Sequence, residues 1–199
     1  MPGKPINIAI ADVDKVLTNQ EAMPITSAYF KERTSDSFDP NGLFSEEIFG
    51  EMGDQQRLVR FGYINLHTNL LHPKIYDVVV QLKALYKHIL SGKQYAYWDD
   101  KNKDFVKCDD DAPNAETGYS FFTSHIGDIS FKKTKSAKRN TRLKLIEDSK
   151  ARLYVKRFIV SPAGTREYVI NKDGRDEYDD INKLYRRIVE MTRALENVR

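Results

Sequence analysis

The chain has 199 residues, 40% of them hydrophobic and 31% charged, with a formal net charge of +3, a globular composition sufficient for one sizeable domain or two small ones. The single cysteine, Cys108, excludes an intrachain disulfide and a cysteine metal cluster. No apolar run approaches the roughly 20 residues needed to cross a bilayer, and Ile6 to Ala11 is too short for a secretory core, so the composition leads us to expect a soluble, intracellular protein.

In chain order, Ile6 to Ala11 alternates weakly as a short strand, and Leu17 to Phe30 has no clear period. Asp39, Pro40, Asn41 and Gly42 make a tight turn. It delivers Phe44, Ile48 and Phe49 at the spacing of one helical turn pressed into a core, with Gly50 and Gly53 ending it. Leu58 to Leu66 predicts a strand. Pro73, in a first turn, opens a helix whose apolar residues Ile75, Val78, Val79, Leu82, Leu85, Tyr86 and Ile89 run to Ser91 and Gly92.

Tyr95 to Val106 reads as a hairpin around Asp99 to Asn102, and Cys108 to Gly118 as an acidic loop. A basic region from Lys132 to Lys150 includes a short helix from Thr141. Leu153 to Val160 predicts a strand, Ser161 to Gly164 a turn, and Glu167 to Ile170 a returning strand. Asn171 to Arg175 is an exposed turn into a C-terminal helix. On that helix Ile181, Leu184, Ile188, Met191 and Leu195 fall three or four apart, the expected core-facing stripe, thickened by Tyr185 and Val189, and Asp179 and Asp180 favour its N-terminus. The order of elements predicts an α+β fold, and the polar entry into a terminal amphipathic helix suggests the front part of something larger.

Charge is unevenly placed. Between Lys132 and Arg157 eleven basic residues face two acidic ones, and Lys132, Lys133, Lys135, Lys138 and Arg139 form its densest part. Such a tract attracts nucleic acid or an acidic protein, or is simply a solvated face, and the sequence leaves these open.

Tests for self-contained chemistry return little. The four histidines include no HExxH pattern, and neither a GxxxxGK[ST] phosphate loop nor a GxSxG elbow is present. Asp109 to Asp111, Asp12 with Asp14, and Asp173 with Asp176 lack the pattern that would fix a cation or phosphate, and no histidine adjoins Cys108. No catalytic residue and no metal ligand is assigned. A binding or assembly module with a basic surface remains, with Arg186 and Arg187 sharing a turn beside an exposed loop.

Two stretches carry more. Asn41-Gly-Leu-Phe-Ser-Glu-Glu-Ile-Phe-Gly50 resembles the DGLFxxxIFGP stretch of the largest subunit, beta prime, of multisubunit DNA-directed RNA polymerases. The segment from Gly174 to Val189 resembles that subunit's GGRFxxSDLNxLYRRVI, with Gly174, Arg175, Asp180, Asn182, Leu184, Tyr185, Arg186, Arg187 and Ile188 in register. Between them, Arg60 to Leu66 followed by His72 and Pro73 is similar to RMGHIEL and its sequel, and Phe158 to Arg166 to the proline-rich approach to the lid loop. The order matches across residues 38–199.

The resemblance implies a clamp-base module with short strands, an internal amphipathic helix and a long C-terminal helix. Its expected parts are residues 1–37 docking on partner subunits, 38–160 the module with a divergent basic insertion, 161–178 a lid-like hairpin, and 179–199 a helix leading toward the clamp coiled coil of a following chain. Gly42, Leu43, Phe44, Ile48, Phe49, Gly50, Asn182, Leu184 and Tyr185 would be the structural motif residues. Arg166, Arg175, Arg186 and Arg187, with the lysine tract, would lie toward nucleic acid or brace the lid, since arginine holds phosphate or carboxylate equally well. Pairing of Arg186 and Arg187 with acidic neighbours is the plainer alternative.

Departures from the family matter. The four zinc-binding cysteines expected after IFG are missing between Gly50 and Arg60, the magnesium-binding NADFDGD motif is absent, and Asp176 stands where the lid is often apolar. The resemblance thus implies a non-catalytic first piece of a split bacteriophage beta prime subunit. It would bind no cofactor itself, the catalytic aspartates and Mg2+ residing on another chain. Its expected partners are the remaining beta prime fragments, beta-like subunits, a sigma-like factor, template DNA and nascent RNA. Its expected place is the cytoplasm of the infected host or the virion. The alternative is a free-standing clamp mimic that binds and regulates the host polymerase.

Overall fold

The computed structural model describes residues 10–51 and 53–197. Along the chain these form α1 (Val13–Asn19), β1 (Met23–Pro24), α2 (Glu46–Phe49), β2 (Gly62–Leu71), α3 (Pro73–Leu82), α4 (Ala84–Leu90), β3 (Ala96–Asp99), β4 (Asp104–Lys107), α5 (Gly118–His125), α6 (Ala137–Asp148), β5 (Tyr154–Val160), β6 (Tyr168–Ile170), β7 (Asp176–Tyr178) and α7 (Asp180–Glu196). This is an α+β fold with a long C-terminal helix. The strand expected from Ile6 to Ala11 lies outside the described residues except for its last two positions. Two compact units divide the chain discontinuously: Leu71–Tyr154 with the segment ending at Ile10, and Ala11–Leu70 with Val155–Arg199.

In the first unit, Pro73 enters α3 where its missing N–H has no intrahelical partner to lose, and His72 Nδ1 caps the helix by accepting from the Lys74 N–H at 3.1 Å. The single helix expected from Pro73 to Ile89 is two. Lys83 is extended (φ −153°, ψ 125°), and its ammonium donates to Asp104 Oδ2 at 2.9 Å and Phe105 O at 3.1 Å. The break lets Tyr86 and Ile89 of α4 join Ile75 and Val79 of α3 in one core. The hairpin β3–β4 is paired from Ala96↔Lys107 to Asp99↔Asp104, and Asp99 Oδ1 accepts from the N–H groups of Lys101 and Asn102 at its turn. Phe105 stacks on Phe122 at 5.0 Å. Helix α6 starts one turn earlier than expected, capped by Ser136 on the Arg139 N–H. Only Leu143 and Ile146 on it are buried, so its strongly basic sequence hid the period.

In the second unit, Met23 and Pro24 pair parallel to Gly62 and Tyr63, and β2 lies between β1 and β5. The strand begins at Gly62 rather than Leu58 because Gln55–Leu58 forms a 3-10 turn. Ile64 and Leu66 face the core with Leu43, Phe44, Ile48, Phe49, Val160 and Val189. The strand expected to return from Glu167 does not pair with β5. It pairs with β7, in register Tyr168↔Tyr178 to Ile170↔Asp176, because the turn at Asn171–Arg175 reverses the chain at once.

Helix α7 bears out the Tyr185 and Val189 edge of the expected stripe, with Ile188 packed against the core, and corrects the rest. Asn182, Tyr185, Val189 and Thr192 are the buried set, while Ile181, Leu184, Met191 and Leu195 are exposed. The polar members of the covered face are hydrogen-bonded: Asn182 to Arg166 and Glu167, and Thr192 Oγ1 to Ile188 O at 2.6 Å. Polar residues with built-in partners thus occupy positions that periodicity reserves for apolar ones. Leu184, expected as a structural motif residue, is 56% exposed and packs no core.

The turn before α2 has no room for a side chain at Gly42. A Cβ there would stand 2.6 Å from the Tyr29 carbonyl oxygen, a main-chain atom fixed between hydrogen-bonded neighbours. Gly42→Ala is therefore expected to destabilise the fold by about 2 kcal/mol, the cost of overpacking a close-packed site. Urea denaturation against the native chain measures it, and an unchanged midpoint would show that the turn relaxes freely.

Candidate nucleic-acid interface

The hairpin β6–β7 and the start of α7 form one construction in the second unit. Arg166, just before β6, is 4% exposed. Its Nε donates to Ser161 O at 3.0 Å, its Nη1 to Asn182 Oδ1 at 2.5 Å and its Nη2 to Leu43 O at 2.5 Å. The guanidinium also lies 5.0 Å from the Phe44 ring, 5.1 Å from Phe49 and 5.7 Å from Tyr185. Burial pushes its pKa down to about 10, with Tyr185 opposing the shift and Arg57 adding to it. Of the two roles expected for Arg166, contact with nucleic acid or bracing the lid, its three hydrogen bonds exclude the first: they turn its guanidinium into the core, where the residue joins three chain segments.

Arg57 was not singled out in the sequence, yet it is 5% exposed and donates to Gly50 O at 2.7 Å and Phe44 O at 3.1 Å. Its only sequence signal is its place four residues before the Phe61-Gly62 pair, where nothing distinguishes it from exposed Arg60. Beside these arginines a cleft of about 540 Å³ is lined by Phe44, Leu58, Gly164 and Tyr168, with the exposed carboxylate residues Asp54 and Glu167 among its walls. Those carboxylates, and guanidiniums turned toward main-chain carbonyls, make it a poor anion site.

The hairpin is pinned by aromatic rings at its base. Tyr178 stacks on Phe30 at 4.0 Å, and Tyr168 meets Phe38 at 5.3 Å and Phe44 at 5.7 Å. Asp176 collects three donors: the Tyr168 hydroxyl at 2.8 Å, the Tyr178 hydroxyl at 3.3 Å and the Lys31 ammonium at 2.9 Å. Lys31 first, then the Tyr168 hydroxyl, hold this carboxyl below its usual range against the opposing effect of burial. Asp176 is therefore a fastener at the base of the hairpin.

At the tip, Asn171 Oδ1 accepts from the N–H groups of Asp173 and Arg175, and Gly174 supplies the positive φ of 73° that the turn requires. Lys172 and Arg175 are exposed there, and Val169 and Ile170 on β6 are 53% and 60% exposed. On α7, Arg186 donates to Glu190 Oε1 at 2.9 Å and lies 5.7 Å from the Phe30 ring. Arg187 is exposed. The structure thus separates four arginines into a core pin, Arg166, a helix-surface pair, Arg186, and two presented cations, Arg175 and Arg187.

The densest part of the basic tract belongs to the first unit. Lys132, Lys133, Lys135 and Lys138 reach the surface, but Arg139 is half-buried and donates to Leu82 O at 3.0 Å and Lys132 O at 3.3 Å. Arg139 ties the main chain at Lys132 to the end of α3, which is a structural task. The Cys108 thiol is pushed up by burial and by Asp109 and Asp111, the reverse of activation. Asp12 caps α1 and Asp14 stands 3.5 Å from Arg157. Among the described residues no group of three or more His, Cys, Asp or Glu could hold a metal ion, and no helix is long and apolar enough to cross a membrane.

Two outcomes follow. Arg166→Met should cost about 3 kcal/mol or more, because it strands the acceptors at Leu43, Ser161 and Asn182 in the core, whereas Arg175→Ala should leave the denaturation midpoint unchanged; equal effects would contradict the division into pin and tip. The Asp176 carboxyl has a folded pKa below its unfolded value near 4, so its contribution is complete above that value and disappears as pH falls through the folded value. Asp176→Asn should flatten the acid limb of stability against pH below about 4, read by urea midpoints at each pH. Neither a known protein-family model nor a curated protein sequence matches this chain.

Proposed function

We propose that this chain is a non-catalytic N-terminal piece of a split beta prime subunit of a phage DNA-directed RNA polymerase, contributing clamp scaffold and contacts to nucleic acid in an assembly whose catalytic aspartates and Mg2+ lie on another chain. One observation carries the reading. Leu43, Phe44 and Phe49 of the first stretch that resembles the family meet Arg166, 123 residues beyond Leu43, and the nearby Asn182 and Tyr185 of the last stretch around a single guanidinium. Chance matches in three short segments have no reason to share a core.

The hairpin adds support. A rigid base carrying an exposed turn with Lys172 and Arg175 beside Val169 and Ile170 suits contact with phosphate and with base or sugar faces. The surface lysines Lys132, Lys133, Lys135 and Lys138 add a sequence-independent attraction for polyanions. In this reading residues 161–178 work as the lid-like hairpin and α7 as the helix leading toward the clamp coiled coil, with other beta prime pieces, beta-like subunits and a sigma-like factor as partners.

The test is purification of the tagged chain from infected cells, with mass spectrometry and an RNA synthesis assay. Co-purification at fixed stoichiometry with phage-encoded beta and beta prime pieces, and synthesis that resists inhibitors of the host enzyme, is the expected result. Recovery with the host polymerase alone would overturn it in favour of a clamp mimic. In the reconstituted enzyme, Arg175→Ala and Arg187→Ala should each reduce elongation several-fold at low salt and less at high salt, since each removes one counterion-releasing phosphate contact. Elongation and transcript release that match the native enzyme at every salt concentration would defeat the direct-contact role of these residues.

A further inference from the structure

The first unit holds a cleft of about 390 Å³, within the range that takes a small molecule. Three elements bring cations to it: Lys83 from the break between α3 and α4, Lys132 from the segment before α6, and Arg139 from α6. Asp99 and Asp104, the last pair of the β3–β4 hairpin, are the carboxylate residues in its walls. Leu82, Val106 and Phe131 supply an apolar side.

Hydrogen-bond capacity decides which charge the cleft can accept. Each carboxylate oxygen is already engaged. Asp104 Oδ2 accepts from the Lys83 ammonium at 2.9 Å, and its Oδ1 from the Tyr86 hydroxyl and the Phe105 N–H, both at 2.7 Å. Asp99 Oδ1 accepts from the N–H groups of Lys101 and Asn102, and its Oδ2 from the Asn102 amide at 2.6 Å. Donors, by contrast, are in surplus. Arg139 bonds only main-chain carbonyls, through Nε and Nη1, so its Nη2 has no partner among the described residues, and neither has the Lys132 ammonium. Burial first, then the bond to Asp104, pushes the Tyr86 hydroxyl pKa up, so it lines the cleft as a neutral group.

We propose that this cleft binds the terminal phosphate of a phosphomonoester, with Lys83, Lys132 and Arg139 as its donors. Such a phosphate carries about −1.5 to −2 charge at neutral pH and three acceptor oxygens, which cations on three walls can address, whereas a carboxylate offers two oxygens and a single charge. The inference goes beyond the polymerase reading and does not rest on it. A free nucleotide and a nucleic-acid end both carry this group, and the test separates them.

Calorimetric titration of the full chain uses adenosine 5′-monophosphate, adenosine, and an oligothymidylate with either a 5′-phosphate or a 5′-hydroxyl. Adenosine 5′-monophosphate should bind and adenosine should not, with inorganic phosphate displacing the nucleotide and chloride at equal ionic strength leaving it in place. A preference for the 5′-phosphate oligonucleotide without binding of the mononucleotide supports the site and assigns it to nucleic-acid ends. Lys83 also serves the hairpin, so the decisive variant is Lys132→Glu, at an exposed side chain. It should weaken the bound phosphate probe at least about fivefold, while Lys93→Glu, an equal charge change at an exposed residue outside the cleft, should change it less than about twofold. Equal effects of the two variants, or indifference to the phosphate in both probe pairs, overturn the proposal.

Discussion

A guanidinium removed from water must recover several kcal/mol of lost hydration from what surrounds it, and in the second unit Arg166 does so without a carboxylate within 4 Å among the described residues. Its partners are two main-chain carbonyls, one amide oxygen and three aromatic rings. Lysine could not replace it, because a point charge cannot address Leu43, Ser161 and Asn182 in three directions from one plane. The turn before α2, the end of β5 and the first turn of α7 are thereby located by one side chain. Arg57 repeats the device on a smaller scale, tying Phe44 to Gly50 across the short helix between them. Both arginines keep Phe44 in place, and Phe44 is also the ring on which Phe30, Phe38, Tyr168 and Tyr178 assemble.

That assembly explains how a three-residue strand pair holds a shape. An isolated hairpin of this length is marginal in water, and Val169 and Ile170 bury little of their surface. Stability comes instead from below, through the stacked rings and the Asp176 carboxylate with its three donors. The consequence is a division of labour along the hairpin. Residues at its base are consumed by the fold, while in the turn the structural duties fall to Asn171, Gly174 and the main chain, which leaves the side chains of Lys172 and Arg175 exposed. Within the hairpin, the cationic side chains left exposed for recognition are those of the turn, Lys172 and Arg175.

How much of this could be read from the sequence depends on what produced each feature. The turn at Asp39 to Gly42, the buried Phe44, Ile48 and Phe49, and the hairpin around Asp99 to Asn102 were legible because turn chemistry and local spacing determine them. The break at Lys83 was not, since it depends on Asp104 and Phe105, far along the chain. Strand partners were misread for the same reason: β5 and β6 are joined by a turn, and only the tertiary placement of β2 shows that they do not pair. Among the arginines, composition treated Arg57, Arg60, Arg166 and Arg175 alike. Burial alone distinguishes them, and burial of a charged residue is what a hydropathy pattern least foresees.

The phase of α7 is the most instructive of these misreadings. A helix with apolar residues at 181, 184, 188, 191 and 195 and mixed residues at 182, 185, 189 and 192 would bury the former if hydrophobicity alone chose its face. It buries the latter because Asn182 is required by Arg166 and by Glu167, whose carbonyl accepts from its Nδ2 at 3.2 Å. Turning the helix by one residue would strand the Arg166 donor that Asn182 now accepts. The core has therefore spent its freedom on the polar contact and left a regular apolar seam facing outward. Asn182 also bonds the chain at the hairpin's base, so the first turn of α7 and the hairpin are joined through one side chain.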